Sequence, residues 1–170
     1  MFAAGELVVY GGEGVCRVEK VGPSGVPGAD KSKLYYTLLP LYRTGQVLTP
    51  VDTRVLMRPV LDRQTARTLV EQMAAPLERE SLPSNIRMLK DYYQAVVTSY
   101  DCEKMARLIR TLSHRRRYAL DHGKKPSQMD ERYFKRAEDQ LYGELGAALE
   151  LPRNEVAAYI RSYHPAWPEC

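Results

Sequence analysis

The hydrophobic pattern of the chain changes its period once, close to Pro59. Before that point, apolar and polar residues alternate in short runs bounded by glycine and proline, which is typical of strands. After it, apolar residues recur at i, i+3, i+4 and i+7, which is the spacing of an amphipathic helix. A run with a period of two cannot place its apolar residues on one face of a helix. The sequence therefore predicts an α+β protein of two domains, a β domain followed by an all-α one.

The first part of the chain contains five predicted strands, at residues 6–10, 14–21, 33–39, 46–49 and 54–57. Gly12 and Gly14 can adopt positive φ without steric cost and predict a tight turn between the first two strands. Short strands joined by close turns favour a small, strongly bent antiparallel barrel. The strand at 46–49 ends at Pro50 and is predicted to lie at an edge, where its backbone could accept a partner strand. An edge covered by its own loops is the alternative.

The remainder of the chain predicts four or five helices, with Asp62 and Asp101 as N-caps. Their apolar stripes consist of Ala66, Leu69, Val70 and Met73; Ile86, Leu89, Tyr93, Val96 and Val97; Met105, Leu108, Ile109 and Leu112; and Phe134, Ala137, Leu141, Leu145 and Ala148. Prolines and charges between residues 74 and 84 indicate a linker. The predicted domains are therefore 1–75 and 85–164, joined by a linker at 76–84.

Positive charge is concentrated in one segment of the chain. Residues 85–127 carry ten basic and four acidic side chains, whereas the formal net charge of the whole chain is +4. Clustered cations favour binding to phosphate backbones, because binding releases condensed counterions. A solvated helix face is the alternative, and Arg107 and Arg110 could pair with nearby carboxylates instead. The candidate DNA contacts in this segment include Arg107, Arg110, Arg115, Arg116, Arg117, Lys124 and Lys125.

Groups suited to catalysis or metal binding are scarce in the sequence. None of the three histidines has a His or Cys partner at zinc-ligand spacing, and the three cysteines match no zinc or redox motif. The glycine-rich turn at 11–14 lacks the Lys-Ser/Thr of a phosphate-binding loop and leads into a strand. The sequence predicts a protein that is not an enzyme. It also predicts free thiols in a cytoplasmic protein, since no signal peptide or membrane-spanning segment is recognisable.

Several short motifs follow one another at residues 6–10 (ELVVY), 12–15, 35–36, 47–51 (VLTPV), 58–60, 101–112 and 130–145. In this order and spacing they resemble the CarD family of bacterial RNA-polymerase-binding regulators. The β part is also similar to the polymerase-interacting domain of transcription-repair coupling factors. The resemblance implies a Tudor-like N-terminal barrel that binds the polymerase β subunit. It also implies a helical domain that contacts promoter DNA at the upstream edge of the melted bubble and stabilises the open complex.

The same resemblance implies the site residues and the partners. The polymerase-binding strand corresponds to Gln46, Val47, Leu48 and Thr49. Contacts to promoter DNA are expected to be largely independent of base sequence, and no cofactor, catalysis or membrane is implied. We expect a monomer that associates with the nucleoid through RNA polymerase.

One position of the helical domain has two interpretations. Relatives insert a tryptophan at the DNA fork, and an ungapped match places Ile86 at that position, followed by Arg87 and Lys90 as candidate DNA contacts. Ile86 also continues the apolar stripe of its helix, so a core residue and a wedge between base steps are both open. Trp167 is not assigned a role.

Two other classes of function stay open at this point. Residues 143–160 are similar to a helix-turn-helix, which would make the chain an autonomous DNA-binding regulator. However, Arg153 and Arg161 are the only basic residues near its recognition helix, and residues 128–170 carry five basic and eight acidic side chains. A pure protein adaptor, in which the basic segment only solvates the fold, is the third class.

Overall fold

The computed structural model describes residues 1–73 and 82–168. The chain forms two compact units, a β unit at Met1–Val60 and a helical unit at Leu61–Cys170. This division falls earlier than the predicted domain boundary at residue 75. Residues 76–81 of the predicted linker lie outside the described residues.

The β unit is one antiparallel sheet of five strands: β1 (Leu7–Tyr10), β2 (Gly14–Pro23), β3 (Leu34–Pro40), β4 (Val47–Pro50) and β5 (Met57–Pro59). Their order is β4-β3-β2-β1-β5, which leaves β4 and β5 at the two edges. The last strand begins later than the sequence predicted. A turn at residues 51–52 is closed by the Thr53 N–H, which donates to the Pro50 carbonyl at 3.0 Å, and the Val55 N–H then donates to the Thr53 hydroxyl at 3.2 Å instead of to a neighbouring strand.

The predicted turn between β1 and β2 is confirmed. Gly12 and Gly14 have φ of +86° and +78°, a region that residues with a Cβ rarely adopt. Gly11 serves a different purpose. Its N–H donates to the Leu56 carbonyl at 2.8 Å, and a Cβ there would lie 3.0 Å from a methyl group of Val55.

The core of the β unit shows how strongly the sheet bends. It is formed by Val8, Tyr10, Cys16, Val18, Tyr36 and Leu38. The Tyr10 hydroxyl donates to Thr49 Oγ1 at 3.1 Å, although β2 and β3 lie between their strands. Flat strands would hold β1 and β4 about 14 Å apart, so this contact requires strong curvature. The sheet nevertheless stays open in the described residues, because β4 and β5 do not pair, and the predicted barrel is not confirmed.

The helical unit contains five α-helices within the described residues: α1 (Arg63–Gln72), α2 (Ile86–Ser99), α3 (Cys102–Asp121), α4 (Gln128–Leu149) and α5 (Val156–Tyr163). The predicted caps are confirmed, because Asp62 accepts from the Thr65 N–H and Asp101 from the Lys104 N–H. A short 3-10 turn, Arg153–Glu155, precedes α5. No described helix is long and apolar enough to cross a bilayer.

The helices share one apolar core, and the predicted stripes enter it with two exceptions. Ala148 is only partly buried, and Ile86 is exposed. The stripe of α1 (Ala66, Leu69, Val70 and Met73) belongs to this core, which explains why the unit begins at Leu61. The buried Glu144 carboxylate helps to fix that start. It accepts the Leu61 N–H at 3.1 Å and the Cys102 thiol at 3.1 Å.

Candidate protein and nucleic-acid interfaces

The edge strand β4 contains three of the four residues predicted to bind polymerase. The Val51 N–H donates to the Leu34 carbonyl, and backbone groups in an antiparallel pair alternate in direction. The backbone of Val47 and Thr49 therefore points towards β3, whereas the backbone of Leu48 and Pro50 points away. Since proline has no N–H, Leu48 is the only residue of β4 that can donate to a strand outside the sheet.

The side chains of the predicted polymerase-binding residues divide in the same way. Gln46, just before β4, is exposed, and Leu48 is 39% exposed. Val47 packs against the sheet core, and Thr49 is buried against Tyr10. Gln46 and Leu48 thus offer a surface to a partner, while Val47 and Thr49 hold the strand in place.

The start of α2 forms an exposed apolar and basic tip, which we call the α2 tip, composed of Ile86, Arg87, Met88 and Lys90. Ile86 is 75% exposed and Met88 is 60% exposed, so the core interpretation of Ile86 is wrong. The tip is held by Asn85, whose side-chain oxygen accepts the Arg87 and Met88 N–H groups at 2.9 and 3.3 Å. Sequence reasoning did not assign this cap.

The first half of α3 carries two of the predicted basic contacts. Arg107 is exposed. Arg110 is half-buried, and its guanidinium lies 5.4 Å from the centroid of the Trp167 ring, a cation–π distance. Burial lowers the pKa of Arg110. Arg110 therefore contributes to packing as well as to charge.

The three consecutive arginines of α3 have different surroundings. Arg115 Nε donates to Asp130 Oδ2 at 2.7 Å, and the Tyr93 hydroxyl donates to Asp130 Oδ1 at 2.8 Å. Burial opposes the charge of Arg115, but the hydrogen bond and the negative charge of Asp130 raise its pKa. Arg116 forms an exposed ion pair with Glu131 at 3.4 Å. Arg117 has no ion-pair partner among the described residues.

The end of α3, which we define as residues 113–125, extends beyond the core. The last buried residue of α3 is Leu112. Gly123 has φ of +66°, and the Gly123 and Lys124 N–H groups donate to the carbonyls of Leu120 and Ala119. This is a Schellman motif, which fixes the backbone of Lys124 at the helix terminus. Lys124 and Lys125 are exposed.

Trp167 lies in the core, although it comes only a few residues after α5. Its side chain is 2% exposed, and its indole N–H donates to the Tyr142 hydroxyl at 2.8 Å. The nearby His164 ring nitrogen lies within hydrogen-bond distance of the Val70 carbonyl, and Arg161 donates to the Pro168 carbonyl. Trp167 is therefore not available to contact DNA in this conformation.

The helix-turn-helix candidate is part of the same core. Within it, Gly143–Leu149 belongs to α4, which is buried at this end, and α5 buries Val156, Ala157 and Ile160. Arg161, one of its two basic residues, bonds to the Pro168 carbonyl. In the described residues, no group of three or more His, Cys, Asp or Glu side chains is arranged to hold a metal ion.

The edge strand β4 is of the kind to which an extended segment of another protein can add. Residues 2–61 match the family model of the CarD-like/TRCF RID domain. The β unit thus carries an RNA-polymerase-interacting domain of this family, and the resemblance predicted from the sequence is confirmed for this part. The match supports binding to RNA polymerase and a role in transcription regulation. It does not extend into the helices, and no curated protein matches the sequence.

Proposed function

We propose that this protein is a CarD-like transcription regulator with two contacts. Its β unit binds the β subunit of RNA polymerase, and its helical unit holds promoter DNA at the upstream edge of the bubble and stabilises the open complex. The match of residues 2–61 to the polymerase-interacting domain carries the proposal. We propose that the protein acts as a monomer, by binding alone and without catalysis or a cofactor. It would associate with the nucleoid through the polymerase.

The polymerase contact is proposed to be strand addition at β4. In this mode the backbone supplies affinity and alternate side chains supply specificity. Leu48 offers both the outward N–H and an exposed side chain, and Gln46 extends the surface. The curvature that brings Thr49 to Tyr10 keeps β4 in the sheet, which supports a rigid edge. A Tudor-like fold for this strongly bent sheet is part of the proposal.

The backbone of Leu48 provides the test of this contact. Leu48→Pro removes the outward N–H, and an edge strand tolerates proline at an outward position. We expect this variant to lose affinity for the isolated β subunit by about tenfold, since a hydrogen bond and the adjoining pairing are lost. Leu48→Ala keeps the N–H and is the matched control, with a smaller loss. Equal binding by Leu48→Pro and the natural chain, with unchanged melting, would contradict strand addition.

The DNA contact is proposed for the α2 tip and the α3 end. Both surfaces combine exposed apolar side chains with cations, and no acidic side chain lies within the tip. Arg117, Lys124 and Lys125 form no ion pair among the described residues, so their charges are available to phosphates. Arg115 is instead proposed to position α3 against α4 through Asp130.

Salt dependence separates these two roles. Replacing Arg117, Lys124 and Lys125 by alanine should flatten the slope of log affinity against log salt by about one unit per lost phosphate contact. The matched control is Arg115→Ala, which removes the ion pair between Arg115 and Asp130. It should lower the melting temperature and change the slope much less. An unchanged slope in the triple variant would mean that these cations do not contact phosphates and only solvate the helix face.

A further inference from the structure

The α3 end exposes an aromatic ring that neither the core nor the basic charge explains. Tyr118 is 62% exposed, and Leu120, two residues further along the same helix, is also exposed. Charge neutralisation of a phosphate backbone needs cations and not a phenol ring. Exposed aromatic side chains in basic surroundings are a common feature of sites that stack on nucleic-acid bases.

The ring of Tyr118 is held in place before any ligand binds. It stacks on the imidazole of His122, with a centroid distance of 4.0 Å and an interplanar angle of 28°. His122 Nδ1 lies 2.8 Å from the Tyr118 carbonyl oxygen, and since a carbonyl only accepts, this nitrogen carries the hydrogen. A ring fixed in this way loses little conformational entropy when a second ring stacks on it. Its large exposed fraction shows that it is not covered on both faces.

The charges around the ring favour an anionic partner. Residues 117–125 contain Arg117, Lys124 and Lys125 against a single carboxylate, Asp121. The three cations are exposed, and the Schellman motif at Gly123 fixes the backbone that carries the two lysines. A base on the ring would thus have cations available for the phosphates on either side of it.

We propose that Tyr118, supported by His122, is a stacking platform for an unpaired base of single-stranded DNA. In a duplex both faces of each base are covered by neighbouring pairs, so the platform selects melted DNA over duplex. Every base has a π-face, and the selection is therefore independent of sequence. This inference rests on the proposed DNA contact and adds to it a preference for an unpaired strand.

The test measures the affinity of the full-length chain for three labelled probes by fluorescence anisotropy. The probes are an oligothymidine of about 15 nucleotides, the same strand built from abasic units, and a blunt duplex. Tyr118→Ala is compared with Tyr118→Trp and with Tyr163→Ala, a control tyrosine on α5 that is 47% exposed and lies outside the basic segment. Melting curves of all variants establish that they fold.

Tyr118→Ala should weaken binding to oligothymidine by about 5- to 100-fold and change duplex binding by less than about twofold. Its salt slope should stay unchanged, because no cation is removed. Tyr118→Trp should keep or increase the affinity, and Tyr163→Ala should behave as the natural chain. The abasic strand should bind the natural chain and Tyr118→Ala equally.

Each of four results would overturn the inference. An unchanged affinity of Tyr118→Ala for oligothymidine, while the natural chain binds duplex, removes the platform but leaves the proposed function intact. An equal loss on duplex and single strand shows a general loss of the surface rather than base stacking. Weaker polymerase binding with unchanged DNA binding assigns the ring to a protein contact. If the natural chain binds no probe, the proposed DNA contact fails together with the platform.

Discussion

Trp167 and Ile86 differ in exposure in the opposite sense to the one that the sequence suggests. The tryptophan is 2% exposed, whereas the isoleucine, which the sequence resemblance places at the DNA fork, is 75% exposed. Both belong to the helical unit, and both lie outside the middle of any helix. Exposure at these two positions therefore depends on which packed elements surround them, and only secondarily on the apolar character of the side chain.

The surroundings of the two residues explain the difference. Trp167 lies against Arg110 of α3 and Tyr142 of α4, and its N–H has an acceptor there. Ile86 is the first residue of α2, and the buried residues of that helix begin only at Leu89. The α2 tip is thus stabilised by its cap and not by apolar packing.

The largest expected effect is on stability at Trp167. Trp167→Ala should lower the free energy of unfolding by about 3–5 kcal/mol, because it opens a large cavity and removes the hydrogen bond from the indole N–H to the Tyr142 hydroxyl. Ile86→Ala, the matched change at the exposed site, should stay within about 0.5 kcal/mol. Urea unfolding of the full-length chain measures both values. Similar losses of unfolding free energy in the two variants would contradict the difference in burial between Trp167 and Ile86.

The next effect is on function at Ile86. A wedge occupies the space that a reannealing base pair needs, and an aromatic ring adds stacking on the exposed base. Ile86→Trp should lengthen the lifetime of the open complex by up to about tenfold, which corresponds to ~1.4 kcal/mol. Decay of promoter complexes after addition of a competitor gives the lifetime. A lower melting temperature with no gain in lifetime would show that the side chain is not at the DNA.

The smallest effect concerns the cap of α2. Asn85→Ala removes the acceptor of two N–H groups and should cost about 1 kcal/mol of stability, although Asn85 is exposed. Asn85→Asp keeps an acceptor and should cost much less. Thermal melting of the two variants distinguishes them. Equal melting temperatures would mean that the tip does not depend on its cap.

The sequence predicted local structure better than the extent of packing. The caps at Asp62 and Asp101 and the stripe of α3 follow from side-chain chemistry and spacing within a few residues. Periodicity indicates on which face of a helix a side chain lies, but not how far along that face the neighbouring helices pack. This is why Ile86 could not be assigned from its stripe.

Longer-range features were not accessible from spacing. The ion pair of Arg115 joins α3 to Asp130 of α4, and the burial of Trp167 requires three separate segments to meet. The division of the units after Val60 likewise depends on where the apolar face of α1 packs. At β4, the strand proposed to bind polymerase, the sequence predicted the edge but not the alternation that makes Leu48 its outward donor.

Both edges of the sheet end in proline, at Pro50 of β4 and Pro59 of β5. The Val60 N–H bonds to the Leu7 carbonyl, so by alternation Pro59, like Pro50, directs its backbone away from the sheet. An antiparallel sheet with two free sides is otherwise a template for fibre growth, since each copy can add to the next. Because proline has no N–H, each edge strand lacks one outward hydrogen-bond donor, which discourages copies of the chain from pairing edge to edge. An edge of this kind can accept a partner strand while growth between copies of the chain is discouraged.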